Sequence, residues 1–261
     1  MQKLTVRDFG KTKDGNTARL YVMKNEAGTT AAVCDYGAAL VSVCVKGKDG
    51  RPVDVVLGFD DVSGYEEGGD SIGATVGRNA NRIGGASVAI DGVTYELDKN
   101  DNGNNLHSGF SYYNKRMWEV TGSGDDHVTF CLHSPDGDQG YPGALDMHVT
   151  YSLDEDNSLT IHYESVPDKD TGINMTNHSY FNLNGHESGS ALGHTVVLDA
   201  DSFTPADEES IPTGEIRSVE GTPMDFRKGK TLGEEIDADY EPLRFGGGYD
   251  HNWVLKNGGR F

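Results

Sequence analysis

Three short segments of the chain, residues 77–83, 176–183 and 248–253, concentrate side chains that bind hydroxyl groups or transfer protons. The first segment contains Arg78, Asn79, Asn81 and Arg82. Arginine presents a planar fork of donors, and asparagine both donates and accepts, so these side chains suit a ligand with neighbouring hydroxyls. The same residue types also stabilise turns and pair with buried carboxylates, so a purely structural loop is the alternative interpretation.

His178 is the candidate proton donor of the second segment. It lies among amide and aromatic side chains, including Asn177 and Tyr180. Histidine is the side chain best able to deliver a proton near neutral pH, and titratable groups among polar neighbours are common at functional sites. The alternative is a strand histidine that hydrogen-bonds a backbone carbonyl. His107, within residues 105–109, becomes a candidate only together with the other segments.

Asp250 is the candidate binding residue of the third segment. Tyr249 and Trp253 flank it. A carboxylate accepts hydrogen bonds from hydroxyl groups, and aromatic rings offer flat apolar faces against which a sugar ring stacks. The competing interpretation is an aspartate that caps a turn after the glycines at residues 246–248.

Several other chemistries require patterns that this sequence lacks. The nine histidines include no His-x-x-x-His or His-Glu-x-x-His pair, so no metal ion is predicted. The glycines of residues 73–85 precede neither Gly-Lys-Ser/Thr nor a dinucleotide-binding pattern. A glycosidase needs two carboxylates across the bond that it cleaves, and only Asp250 stands out. No Gly-x-Ser-x-Gly motif supports an α/β-hydrolase.

The composition describes an acidic chain without membrane segments. A net charge of −20 over 261 residues repels phosphate backbones, so no nucleic-acid partner is predicted. No apolar run approaches the ~18 residues of a membrane helix, and the N-terminus lacks the apolar core of a signal peptide. We therefore predict a cytoplasmic protein without membrane contact. The three cysteines form no Cys-x-x-Cys pair and are predicted to be buried, reduced thiols.

Period-2 alternation of apolar and polar residues predicts many strands with one buried face. Two hairpins are predicted, one from residues 145–151 and 159–163, the other around an Asp91-Gly92 type I′ turn. Further strands are predicted at residues 4–9, 19–23, 31–36, 39–45, 53–57, 128–132 and 194–198. Short helices are predicted at residues 60–66 and 231–240. Such short strands with frequent turns favour a sandwich or a barrel, in one large domain or two small ones.

A series of motifs in a consistent order resembles the aldose 1-epimerase (galactose mutarotase) family. The three segments above and residues 105–109 carry this resemblance, and so do residues 138–143, 203–205, 211–215 and 222–227. It extends over the whole chain. The resemblance implies the fold of that family, an all-β, large antiparallel β-sandwich with few short helices, as a single domain over residues 1–261.

The resemblance also implies a reaction. The family interconverts the α and β anomers of a free aldohexose such as galactose or glucose: a base takes the C1 hydroxyl proton, an acid protonates the ring oxygen, and the opened ring closes on its other face. His178 matches the acid. The matching substrate-binding residues are Asn81, Arg82, His107, Tyr180 and Asp250. The accompanying expectations are a bell-shaped pH profile, no metal or organic cofactor, and a monomer or homodimer.

Two departures from the family pattern bear on activity. Ser108 stands where the family more often has glycine, which matters if the position needs a positive φ. The base glutamate of the family lies beyond the segment that matches residues 248–253, and residues 254–261 contain no acidic side chain. The resemblance therefore predicts a C-terminally truncated chain that lacks the last strands of the family.

Three functions remain open at this point. The leading one is an active aldose 1-epimerase. The second is a non-catalytic sugar-binding β-sandwich, or an inactive fragment, that lacks the general base. The third is a hexose-phosphate epimerase of related fold, which would need a stronger basic cluster than Arg78 and Arg82.

Overall fold

Strands dominate the structure because apolar and polar residues alternate along most of the chain. The computed structural model describes residues 4–68 and 71–259, and the chain divides into two compact units, Met1–Ser188 and Gly189–Phe261. In chain order the strands of the first unit are Thr5–Lys11 (β1), Thr17–Lys24 (β2), Thr30–Cys34 (β3), Ala39–Lys46 (β4), Pro52–Asp54 (β5), Thr75–Val76 (β6), Arg82–Ile83 (β7), Ser87–Ile90 (β8), Val93–Glu96 (β9), Asn105–Leu106 (β10), Glu119–Ser123 (β11), His127–Ser134 (β12), Leu145–Leu153 (β13), Leu159–Pro167 (β14) and Thr176–Asn177 (β15). Its helical segments are the α-helix Val62–Glu67 (α1) and the 3₁₀ turns Gly84–Ala86, Tyr113–Lys115 and Asp138–Gly140.

Two antiparallel sheets form a sandwich in the first unit. Strands β1 to β5 pair in sequence order, and so do β11 to β14. Buried side chains of both sheets meet in one core, where Tyr21 contacts Phe130 edge-on with ring centroids 5.5 Å apart. Every second residue of β13 is at most 1 % exposed, and a large apolar side chain buried in this way contributes about 2 kcal/mol. The predicted all-β sandwich is confirmed.

Both predicted hairpins are present. β13 and β14 pair without a register shift and meet at Leu153 and Leu159, around the acidic turn predicted there. β8 and β9 join at Asp91 and Gly92, whose φ angles are 50° and 78°. Positive φ at both central residues is the geometry of a type I′ turn, as the Asp-Gly pair predicts.

One of the two predicted helices forms and the other does not. α1 begins after Asp61, whose carboxylate accepts the Ser63 N–H at 2.8 Å and caps the helix. The predicted helix at residues 231–240 is wrong. Its first residues pair with an earlier segment of the chain instead, because the Leu232 and Gly233 N–H groups donate to carbonyls of residues 194 and 192. A helix forms instead at Glu241–Gly246 (α2), with proline in its first turn.

The second unit contains shorter strands around its own core. They are Thr195–Val196 (β16), Ala200–Thr204 (β17), Arg217–Ser218 (β18), Lys230–Thr231 (β19) and Asn252–Leu255 (β20). β16 pairs with β19, and β17 pairs with both β18 and β20. A 3₁₀ turn, Lys256–Gly259, follows β20. Phe203, Val219, Met224 and Leu243 are buried together at the centre of this unit.

Two further predictions concern membrane segments and thiols. Within residues 4–68 and 71–259, no helix has the length and apolar character needed to cross a membrane. All three cysteines are free, as predicted. The predicted burial is confirmed for Cys34 but is wrong for Cys44 and Cys131, which are half-buried.

Candidate active site

His178 is held by the short strand pair of β6 and β15. Beyond the last residue of β15, the His178 N–H donates to the Ala74 carbonyl and its own carbonyl accepts the Gly73 N–H, both at 2.9 Å. The half-buried imidazole lies against Tyr180, with ring centroids 5.4 Å apart. Tyr180 is 44 % exposed, so this side of the pair faces solvent.

His107 lies beside His178 and is fixed by the pairing of β7 with β10. Its backbone N–H donates to the Asn81 carbonyl at 3.1 Å, and its ring Nδ1 accepts the Asn81 N–H at 3.0 Å. A neutral imidazole that accepts at Nδ1 carries its proton on Nε2, so His107 keeps a ring donor free for another group. The His107 and His178 rings meet edge to face, with centroids 5.4 Å apart and planes at 88°.

The surroundings of His107 keep its ring neutral. Burial, and to a smaller extent the nearby His178 and Arg82, lower the pKa of His107 to about 4, while Asp101 raises it by less. A histidine in an unfolded chain titrates near its ordinary value of about 6.5. Because the unfolded chain binds this proton more readily, the neutral ring stabilises the fold above pH 6.5, and that contribution disappears as the pH falls toward 4.

We therefore expect a pH-dependent loss of stability that belongs to His107. Between pH 7 and pH 4 the ring should account for up to about 3 kcal/mol of the fall in the free energy of unfolding. Urea unfolding at both pH values, on the wild type and on His107→Gln, measures this contribution. The variant should lose clearly less stability over the interval than the wild type. Equal losses in both proteins would contradict the assignment.

Arg82 is anchored by a carboxylate that the sequence analysis did not identify. Its Nε lies 2.6 Å from the Asp101 Oδ2, and each side chain is about one-fifth exposed. Its Nη1 donates to the Asn81 Oδ1 at 3.3 Å. The ion pair fixes the guanidinium next to the strand that leads into His107. Asp101 lies in a run of asparagine, aspartate and glycine, which resembles an ordinary turn and gives no local signal of this role.

Arg78 is not a ligand-facing residue. Its side chain is fully buried, and its guanidinium donates to carbonyls of residues 134, 135, 142 and 143 and to the Ser134 and Thr171 hydroxyls, at 2.8–3.2 Å. The interpretation of residues 77–83 as a loop that offers all four polar side chains to a ligand is therefore wrong for Arg78. The structural alternative holds for this residue, with carbonyl oxygens in place of the expected carboxylate.

Ser108 occupies a position that does need a positive φ. Its φ is 76° and its side chain is fully buried. The hydroxyl accepts the Asn79 N–H at 2.9 Å and lies 3.3 Å from the Asn79 carbonyl, to which it donates. The backbone strain at Ser108 is therefore offset by two hydrogen bonds, which connect residues 105–109 to residues 77–83.

Substitutions at Ser108 should separate strain from hydrogen bonding. Ser108→Ala keeps the strained φ and leaves the Asn79 N–H without its acceptor, so it should lower the free energy of unfolding by about 2 kcal/mol. Ser108→Gly loses the same hydroxyl but relieves the strain, and should be about 1 kcal/mol more stable than Ser108→Ala. Urea unfolding of the three proteins gives the order, and an alanine variant at least as stable as the glycine variant would refute it.

Asp250 belongs to the second unit, two residues before β20. Its side chain is exposed. The neighbouring rings are not free: the Tyr249 and Trp253 rings both contact Phe226 edge-on, at centroid distances of 5.0 and 5.8 Å. The Trp253 indole N–H also donates to the Met224 carbonyl at 3.0 Å. Both aromatic residues therefore serve the core of the second unit.

The first unit thus brings together four of the predicted site residues: Asn81, Arg82, His107 and His178. Tyr180 borders them. Over the residues that the structure describes, no three histidine, cysteine or acidic side chains are placed to hold a metal ion. The grouping offers a histidine next to a neutral ring donor, with an arginine and an asparagine beside them. Such a set can bind hydroxyl groups and move a proton without a metal.

Comparison with known proteins finds similar sequences and a similar fold. The family model described as aldose 1-epimerase matches residues 19–260. The chain is 39 % identical over 243 residues to aldose 1-epimerase of Escherichia coli, covering 93 % of this chain and 70 % of that protein. It is 42 % identical over 226 residues to galactose mutarotase of Bos taurus, covering 86 % of this chain and 64 % of the bovine protein, which is less than two thirds of its length. A crystal structure of galactose 1-epimerase from Lactobacillus acidophilus superposes with a TM-score of 0.88 at 29 % identity, over 100 % of this chain and 76 % of that one.

Proposed function

This chain belongs to the aldose 1-epimerase family, and from that premise we propose that it interconverts the α and β anomers of free aldohexoses such as galactose and glucose. The observation that carries the proposal is the edge-to-face pair of His107 and His178, whose ring centroids lie 5.4 Å apart. One ring is held neutral, with a defined donor, and the other is half-buried beside an exposed tyrosine. This arrangement suits proton transfer at a sugar ring.

Each residue of the first unit takes a role that its contacts support. His178 protonates the ring oxygen of the sugar as the bond from C1 to that oxygen breaks. The Nε2–H group of His107 donates a hydrogen bond to a neighbouring sugar oxygen and so holds the sugar ring in place. Arg82 and Asn81 bind hydroxyl groups, and Tyr180 borders the sugar. The assignment of Asp250 to sugar hydroxyls follows the family pattern alone.

The reaction also needs a base that removes the proton from the C1 hydroxyl. Asp101 is the carboxylate that acts electrostatically on His107, and the Arg82 Nε binds it at 2.6 Å. The Asp101 carboxylate is thus already engaged in an ion pair, and we do not assign the base to it. With one group protonated and the other deprotonated in the active form, the rate should follow a bell-shaped pH profile.

Polarimetry tests the proposal directly. Freshly dissolved α-D-galactose should lose its excess optical rotation faster with the 261-residue chain than in buffer. The same experiment with glucose ranks the two hexoses. If calorimetry shows galactose binding but polarimetry shows no acceleration, the proposed activity is wrong for this chain, and the chain is a sugar-binding protein. Competition by galactose 6-phosphate at lower concentration than galactose would instead favour the phosphorylated substrate.

A further inference from the structure

The backbone on both sides of His178 is clamped by one side chain that the proposed mechanism does not use. Asn177 donates through Nδ2 to the Gly73 carbonyl at 2.8 Å, and its Oδ1 accepts the Ser179 N–H at 3.1 Å. Gly73 in turn donates its N–H to the His178 carbonyl. Asn177 therefore ties the residue after His178 to residues 73–74, which precede β6 and bond His178 from the opposite side.

The orientation of the Asn177 amide is fixed by its partners. A carbonyl only accepts and a backbone N–H only donates, so the nitrogen faces Gly73 and the oxygen faces Ser179. Nδ2 also donates to the Tyr151 hydroxyl at 3.1 Å, and that hydroxyl donates to the Ala38 carbonyl at 2.7 Å. Burial raises the pKa of Tyr151, which keeps this hydroxyl protonated. The amide is thus anchored in the core of the sandwich.

The turn at Gly73, which lies opposite His178, has little freedom to shift. Gly73 has a φ of 70°, and a Cβ at this position would lie 2.1 Å from the Leu40 carbonyl oxygen. The Leu40 N–H donates to the Gly73 carbonyl, which also accepts from Asn177. Only glycine fits this close approach. Asn177 therefore connects His178 to a segment that the sandwich itself holds in place.

From these contacts we infer that Asn177, supported by the Tyr151 hydroxyl, is the positioning residue that aims the His178 imidazole at the sugar ring oxygen. The inference rests on the proposed function. Proton transfer requires the donor within hydrogen-bond distance of its target, so a shift of the His178 backbone should reduce turnover much more than binding.

Asn25 provides a matched control. It is 3 % exposed and makes a similar set of bonds: its Nδ2 donates to the Asp154 carbonyl and the Asn157 Oδ1, and its Oδ1 accepts the Thr29 N–H, at 2.8–3.0 Å. None of these partners belongs to β6 or β15. Replacing either asparagine by alanine thus removes an equivalent set of bonds, but only one of the two sets surrounds His178.

The experiment compares Asn177→Ala, Asn177→Asp and Asn25→Ala by polarimetry, thermal melting and NMR of the histidine rings, with the His178 signal identified from a His178→Asn sample. Asn177→Ala should lower kcat about 100-fold while changing the galactose KM less than about threefold, and it should shift or broaden the His178 ring signal. Asn177→Asp has the same shape but presents an acceptor to the Gly73 carbonyl, so its loss should be at least as large. Asn25→Ala should lower the melting temperature without changing kcat or the ring signal.

The outcomes separate this inference from the proposed function. An Asn177→Ala protein with the kcat and His178 signal of the wild type overturns the inference, and so does an equal loss of kcat in Asn25→Ala. If the wild type shows no acceleration, the proposed function fails, and the ring signal alone decides whether Asn177 positions His178. If Asn177→Ala does not fold, Tyr151→Phe replaces it. That variant removes one partner of the amide and should give a smaller change in the same direction.

Discussion

Replacing His178 by asparagine is expected to slow galactose mutarotation about 1000-fold, within the range that a general acid contributes. Asparagine has a similar size and can still hydrogen-bond, but it cannot deliver a proton at neutral pH. The binding groups around His107 and Arg82 stay in place, so the galactose KM should change little. Polarimetry over a range of galactose concentrations separates the two parameters.

His133 offers the matched substitution for this test. Its ring is 64 % exposed, and it pairs with Asp146 across strands β12 and β13. His133→Asn should keep the turnover of the wild type. A His178→Asn protein with more than about a tenth of the wild-type kcat would remove His178 from the role of general acid, since such a group is worth at least about 100-fold.

Replacing Arg78 by methionine is expected to lower the free energy of unfolding by about 4 kcal/mol, because a buried cation and its hydrogen bonds to several carbonyls disappear together. Methionine fills much of the same volume but donates no hydrogen bond, so those carbonyls would stay buried without a donor. Urea unfolding monitored by tryptophan fluorescence gives the change. The catalytic constants, measured well below the unfolding midpoint, should change much less.

Arg51→Met is the corresponding exposed substitution. Arg51 is 84 % exposed and pairs with Asp49 two residues away. Its loss should change the free energy of unfolding by less than about 0.5 kcal/mol, because exposed ion pairs contribute little. If the two substitutions cost the same, the buried hydrogen bonds of Arg78 do not stabilise the fold as described.

Much of the fold could be predicted because its cause is local. Period-2 alternation and the Asp91-Gly92 turn act over a few residues, and both hairpins follow from them. The wrong prediction of a helix at residues 231–240 shows that local patterns fail where distant segments pair. That stretch suits a short helix by itself, but its N–H groups meet the carbonyls of residues 192 and 194, which lie far earlier in the sequence.

The functional side chains of the site could also be predicted from the sequence, but the residues that hold them could not. His107 and His178 could be named from residue type and motif, because proton transfer requires particular side chains. Their supports could not. The partners of Arg78 lie 56 to 93 residues away, and the Tyr151 hydroxyl that contacts Asn177 comes from β13, 26 residues earlier in the chain. Asparagine and aspartate are so common in turns that their presence does not reveal which of them hold a site.

The hydrogen bonds of Arg78 and those of His107 should respond differently to acid. A guanidinium stays charged at every accessible pH, so the carbonyls around Arg78 keep their donor in acid. The Asn81 N–H depends on a ring nitrogen that takes up a proton near pH 4. Mild acid should therefore break the hydrogen bond between the Asn81 N–H and the His107 ring, while the hydrogen bonds between Arg78 and its carbonyls remain. The Asn81 amide should therefore gain exchange with solvent as the pH falls toward 4, and neutralisation should restore its hydrogen bond without refolding of the sandwich.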